Sequence, residues 1–109
     1  MLELARALAL FVTAAICELG GAYLVWQWQR SGKPAWFALL GVAALFVYSL
    51  IQTIQAFGLG RTFAAYGGVF ILMALLWGWL VDHQLPDHWD WVGAAVCLVG
   101  VTIILAAPR

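Results

Sequence analysis

Four apolar stretches, each about the length of a bilayer span, alternate with short polar breaks along the chain. The first runs from about Leu4 to Trp28 and stops at Gln29-Arg30-Ser31-Gly32-Lys33-Pro34. Glycine and proline break a helix there, and the two cations mark a membrane interface. The second runs from about Ala35 to Phe57 and ends at Gly58-Leu59-Gly60-Arg61. The third covers about Thr62 to Val81, and the loop Asp82-His83-Gln84-Leu85-Pro86-Asp87-His88 leads into the fourth, about Trp89 to Ala107. A helix rises ~1.5 Å per residue and needs ~20 apolar residues to cross ~30 Å of hydrocarbon. Every stretch meets that length. The pattern predicts an all-α integral membrane protein, one domain over residues 1–109, with four transmembrane helices and short loops. Arg6 ahead of an Ala/Leu-rich run imitates a secretion signal, but the run continues to Trp26 and three spans follow. It reads as a retained first helix.

One position interrupts the first stretch. Glu18 is the only charged residue between Ala7 and Trp26. An ionisable group deep in a membrane helix costs at least ~2.5 kcal/mol, so it marks a working site by default. Stepping by three and four residues from Glu18 gives Phe11, Ala14, Ala15, Gly21, Ala22 and Val25 on its face. Small side chains on that face let a ligand or a second helix come close to the carboxylate, and Ala14, Gly21 and Ala22 are the expected pocket wall. The same small residues are also an ordinary packing device. The plainer alternative for Glu18 is a protonated carboxyl hydrogen-bonded between helices.

Two other helices carry polar or aromatic groups toward that site. Tyr48, Gln52 and Gln55 share a face late in the second helix, with Ser49 and Thr53 beside it. Buried amides need partners, so this face points into the bundle or at water. Interhelical glue is the first reading of this face, and Gln52 as a substrate contact the second. The third helix opens with Phe63, Tyr66, Gly67, Gly68 and Phe70. The glycines, Gly67 above all, would let Phe63 and Tyr66 flank a bound molecule, and aromatic faces attract organic cations by ~0.5–2 kcal/mol. Tyr66, Phe70, Met73 and Trp77 also form a stripe at helical spacing, the usual mark of packing. In the fourth helix Gly93 and Gly100 lie one heptad apart on one face, the expected seam of an oligomer.

Composition narrows the class further. The chain is 66% hydrophobic and 9% charged with a mean hydropathy of +0.99, whereas a soluble domain is about a quarter charged. There is too little polar surface for a water-facing globule. Five cations balance five carboxylates and form no basic block, which argues against nucleic acid. Cys17 and Cys97 lie in apolar runs and make no disulfide or zinc framework. Asp82, His83, Asp87, His88 and Asp90 match no metal-ligand spacing, so a solvated hairpin is expected there, with no metal or cofactor. No nucleophile–base constellation points to an enzyme. Arg6, Arg61 and Arg109 fall on one side of the membrane and Arg30 and Lys33 on the other, a bias too small to fix orientation.

Three segments carry a family resemblance: Cys17-Glu18-Leu19-Gly20-Gly21-Ala22-Tyr23-Leu24-Val25-Trp26, Gly60-Arg61-Thr62-Phe63-Ala64-Ala65-Tyr66-Gly67-Gly68-Val69, and the end from Trp89 through Gly93 and Gly100 to Ala107-Pro108-Arg109. On these, almost the whole chain resembles the YnfA family of small four-helix bacterial membrane proteins. It is similar, more distantly, to the small multidrug resistance transporters. Those pair a membrane-embedded Glu with a Gly three residues on, here Glu18 and Gly21, and carry two glycines seven apart in helix 4, here Gly93 and Gly100. Phe63 stands where that family has a Tyr, and Tyr66 where it has a Trp. Trp26 replaces a frequent Lys, and Arg61 is an added charge. The resemblance implies a homodimer in the bacterial inner membrane that exports lipophilic or guanidinium-like organic cations in exchange for protons. The alternative from a different class is a small membrane protein that packs against a larger membrane partner and transports nothing.

Overall fold

A computed structural model describes residues 2–109. It contains α1 (Leu2–Ser31), α2 (Ala35–Thr53), α3 (Leu59–Leu80) and α4 (His88–Ala106), and no strand among the described residues. All four helices are long and apolar enough to cross a membrane. The four-span, all-helical architecture read from the pattern is the one observed.

The helix ends have local causes. Polar Gln29, Arg30 and Ser31 are tolerated in a helix, so α1 runs past Trp28 and stops only at Gly32, whose φ of 69° suits glycine. The second helix ends at Thr53, four residues before Phe57. There Thr53 Oγ1 donates to the Leu50 carbonyl at 2.6 Å, a local bond that competes with the helical ladder. Gln55 Nε2 then donates to the Ala7 carbonyl at 3.0 Å, and Arg6 donates to the Ile54 carbonyl at 3.1 Å. The turn after α2 is therefore tied to the start of α1. Gly58 is the N-cap of α3, which begins three residues before Thr62. In α4, Asp87 accepts from the Asp90 N–H at 2.8 Å and Asp90 accepts from the Asp87 N–H at 3.0 Å. This reciprocal capping gives two of the loop's carboxylates a structural task.

Glycine decides how closely the helices approach. The α1–α2 crossing is at Gly21 and Gly41. A Cβ on Gly21 would lie 2.8 Å from the Gly41 carbonyl oxygen, and one on Gly41 2.6 Å from the Gly21 oxygen. Between α3 and α4 the close point is Gly68, where a Cβ would strike the Val101 side chain and sit 3.0 Å from the Cys97 oxygen. Contacts between α1 and α3 close the row, and α4 leans on α3. The result is a slab of 50 × 34 × 20 Å, about two helices thick. Its core is small: Ala7, Phe11, Ala14 and Ala15 from α1 meet Ala65, Tyr66 and Val69 from α3 and Val101 from α4. Large apolar side chains such as Phe46, Val96 and Ile103 point outward, as expected where lipid is the solvent.

Candidate functional site

Glu18 lies in mid-α1 on the side turned toward α3, and is half-buried. Its Oε1 accepts a hydrogen bond from Tyr66 Oη at 2.7 Å, across 48 residues of sequence. The bond ties the middle of α1 to α3. Tyr66 itself is only 4% exposed, so its hydroxyl is held in place by the packing around its ring.

That packing is aromatic. The Tyr66 ring centroid lies 5.8 Å from Phe11, 5.6 Å from Tyr48, 6.2 Å from Phe63 and 5.6 Å from Phe70. Tyr48 and Phe63 also meet edge to face at 6.5 Å and 89°. Rings from α1, α2 and α3 thus converge beside Glu18, the one carboxylate in the middle of the first span. Helical spacing explains the α3 contribution, because Phe63, Tyr66 and Phe70 follow at three and four residues on one face. Phe63 is partly open to the surroundings, so the cluster is accessible from one side.

The expected site residues part company in the structure. Glu18, Tyr66 and Phe63 come together. Gln52 is 6% exposed, and neither its Oε1 nor its Nε2 has a hydrogen-bond partner among the described residues. A buried unpaired amide costs ~1–3 kcal/mol, so Gln52 is a polar group ready for a bound water or ligand. Ala14 is fully buried in the core and lines no open space. Gly21 is taken up by the crossing with Gly41, so it is a packing residue and not a pocket wall. Gly67 is exposed with nothing within 4 Å of an added Cβ, because it lies about 100° round α3 from Tyr66. Its neighbour Gly68 is the one that matters for packing. Ala22 does line a cavity, of about 460 Å³, which opens beyond Glu18 toward the α3–α4 loop.

Tyr48 and Phe70 complete the ring cluster without having been singled out for it. Tyr48 stands four residues before Gln52, on the polar face of α2, which was the available signal. Phe70 belonged to the aromatic stripe of α3. On α4, Ala94 and Val101 turn inward, whereas an added Cβ on Gly93 or Gly100 meets nothing within 4 Å. Both glycines are on the side of α4 that the chain leaves uncovered. Among the described residues no group of three or more His, Cys, Asp or Glu side chains could hold a metal ion.

Fold and site define a small multi-pass membrane protein of four helices with a carboxylate set against aromatic rings inside its first span. The chain matches the family described as "Uncharacterised BCR, YnfA/UPF0060 family" over residues 4–109, and belongs to it. It is 53% identical over 105 residues to a UPF0060 membrane protein of Desulfitobacterium hafniense, covering 95% of this chain and 97% of that one. It is 54% identical over 101 residues to the UPF0060 membrane protein YfjF of Bacillus subtilis, covering 92% and 93%. A UPF0060 membrane protein of Clavibacter sepedonicus is 56% identical over 107 residues, covering 97% and 96%. No solved structure matches the chain.

Proposed function

We propose that this protein is a proton-coupled exporter of lipophilic or guanidinium-like organic cations, working as a homodimer in the bacterial inner membrane. The observation that supports it most is the Tyr66–Glu18 hydrogen bond at 2.7 Å inside a cluster of aromatic rings. Tyr66 Oη donates to a Glu18 carboxyl oxygen and holds that carboxyl beside the rings, where its deprotonated form can pair with a cation. The faces of Tyr48, Phe63 and Tyr66 supply the remaining attraction, and Gln52 supplies a neutral amide for a hydrogen-bonding substrate. Glu18 holds either a proton or a cation. Each therefore weakens the binding of the other by linkage. Loading a proton from one side then releases the cation, and losing that proton on the other side prepares the carboxylate for the next.

Alternating access needs two arrangements of the helices around one site. The close, smooth contacts at Gly21–Gly41 and at Gly68 suit small sliding movements of packed helices. In the homodimer the open face of α4, with Gly93 and Gly100, is the seam. The same open face would serve a larger membrane partner in the non-transporting alternative, so α4 does not distinguish the two.

The test is substrate-evoked current in proteoliposomes under a pH gradient, comparing wild type with Glu18→Gln against a panel of lipophilic and guanidinium cations. Current in wild type that disappears in a folded Glu18→Gln protein supports the exporter. Absence of current from both, with both folded, would favour the partner-binding reading.

A further inference from the structure

Past Glu18, α1 continues to Ser31, and between it, α3 and the α3–α4 loop lies the cavity of about 460 Å³. Glu18 does not line it. Leu19 and Ala22, one and four residues on, face it from α1, so cavity and carboxylate share a helix within about one turn. The walls are Tyr23, Trp26 and Trp77, and the α3–α4 loop contributes Asp82 and Gln84. The volume falls in the ~300–1,000 Å³ range of small-molecule sites.

Its chemistry suits a hydrophobic monocation. Tyr23 and Trp77 meet edge to face at 5.6 Å and 63°, turned toward each other across the α1–α3 groove. Rings that only anchor a protein at the headgroup level face lipid instead. Trp26 is 57% exposed, and the Arg30 guanidinium carbon stands 4.8 Å over its ring, so a bound cation uses the other side of the indole or takes Arg30's place. Asp82 is the only carboxylate lining the cavity. Asp87 and Asp90 are committed to the α4 cap, whereas Asp82 accepts no hydrogen bond among the described residues.

We propose that this cavity is a second cation-binding site, an antechamber in which Asp82, Trp26, Trp77 and Tyr23 hold a bulky aromatic monocation before or after it reaches Glu18. It takes its cation class from the exporter reading. Its test is read in a Glu18→Gln background, so either idea can fail alone. The antechamber concentrates the cation at the membrane surface and brings it to the floor residues Leu19 and Ala22.

The experiment is equilibrium binding of radiolabelled tetraphenylphosphonium to the detergent-solubilised full chain. Saturable binding is expected to survive Glu18→Gln. Adding Asp82→Asn and Trp26→Leu together should weaken it by about tenfold or more, from one lost charge and one lost ring face. Both side chains are exposed, so folding is not at stake, and circular dichroism with gel filtration checks it. No saturable binding to Glu18→Gln, or a smaller change in the triple variant, would overturn the proposal. A lipid ammonium headgroup is the other source of the same chemistry. Displacement of the probe by phosphatidylethanolamine and not by phosphatidylglycerol would assign the cavity to lipid and overturn the antechamber.

Discussion

The first and fourth helices are used in opposite ways. α1 is packed on two sides, against α2 through Gly21 and against α3 through Phe11, Ala14 and Ala15. Its one buried-side charge is met by a hydroxyl from α3. α4 is packed on one side, through Ala94 and Val101, and its other side shows Val96 and Ile103, 66% and 62% exposed, with Gly93 and Gly100 among them. Glycine appears in both helices but does different work. In α1 it is filled by a neighbour's backbone within the chain; in α4 it faces outward. A glycine's role depends on what stands opposite, which spacing alone does not reveal.

The largest effect should follow from filling the inner seam. Gly21→Leu would drive a side chain into the Gly41 carbonyl, where even a Cβ reaches 2.8 Å. Overpacking costs typically ~1–3 kcal/mol and occasionally more, and here the obstacle is backbone, which yields little. Thermal unfolding in detergent, followed by gel filtration, should show a marked loss of folded protein. Gly93→Leu is the sharpening control. It should leave the melting temperature of the single chain unchanged and lower the cross-linked dimer fraction. If Gly93→Leu unfolds the chain as Gly21→Leu does, the contrast between the helices is lost.

Next in size is the bond between the two regions that meet at the site. Tyr66→Phe keeps the ring and removes only the donor to Glu18. The lost charge-assisted hydrogen bond is worth ~1.5–3 kcal/mol, so cation affinity or transport should fall by about tenfold or more while the fold persists. Initial transport rates in proteoliposomes would measure it. An unchanged rate would mean that the hydroxyl is incidental.

The smallest change tests a loop. His83 adopts φ 59° after α3, just before the Gln84 N–H donates to the Gly78 carbonyl at 2.9 Å. Such a backbone costs a non-glycine residue ~1–2 kcal/mol, partly offset by the extra freedom glycine has when unfolded. His83→Gly should therefore raise stability by no more than ~1 kcal/mol, seen as a small upward shift of the melting temperature. A large shift in either direction would show that the imidazole has a role the fold does not explain.

Much of this was legible in the sequence because the signals were local. Span number and approximate ends followed from hydropathy and from Gly32, Pro34 and Pro86. Glu18 stood out because nothing else between Ala7 and Trp26 is charged, and Tyr66 and Phe63 stood out as the rings that open α3 beside Gly67 and Gly68. The early end of α2 was not legible, because it depends on Gln55 reaching the Ala7 carbonyl of α1 and on Arg6 of α1 reaching the Ile54 carbonyl across the bundle. The same holds for Gly21 and Gly67. A small residue near an acid in sequence says only that space exists; the neighbour that fills it or leaves it open comes from a distant helix. Tyr48 was visible as part of a polar face but joined the site only through its packing on Tyr66.

In the proposed mechanism one carboxylate, Glu18, takes either a proton or an organic cation. The most direct measurement is proton release on adding tetraphenylphosphonium to the detergent-solubilised protein in weak buffer, read with a pH indicator. Wild type should release protons as the cation binds, and Glu18→Gln should release none. Cation binding without proton release at any pH, or equal release from Glu18→Gln, would contradict it.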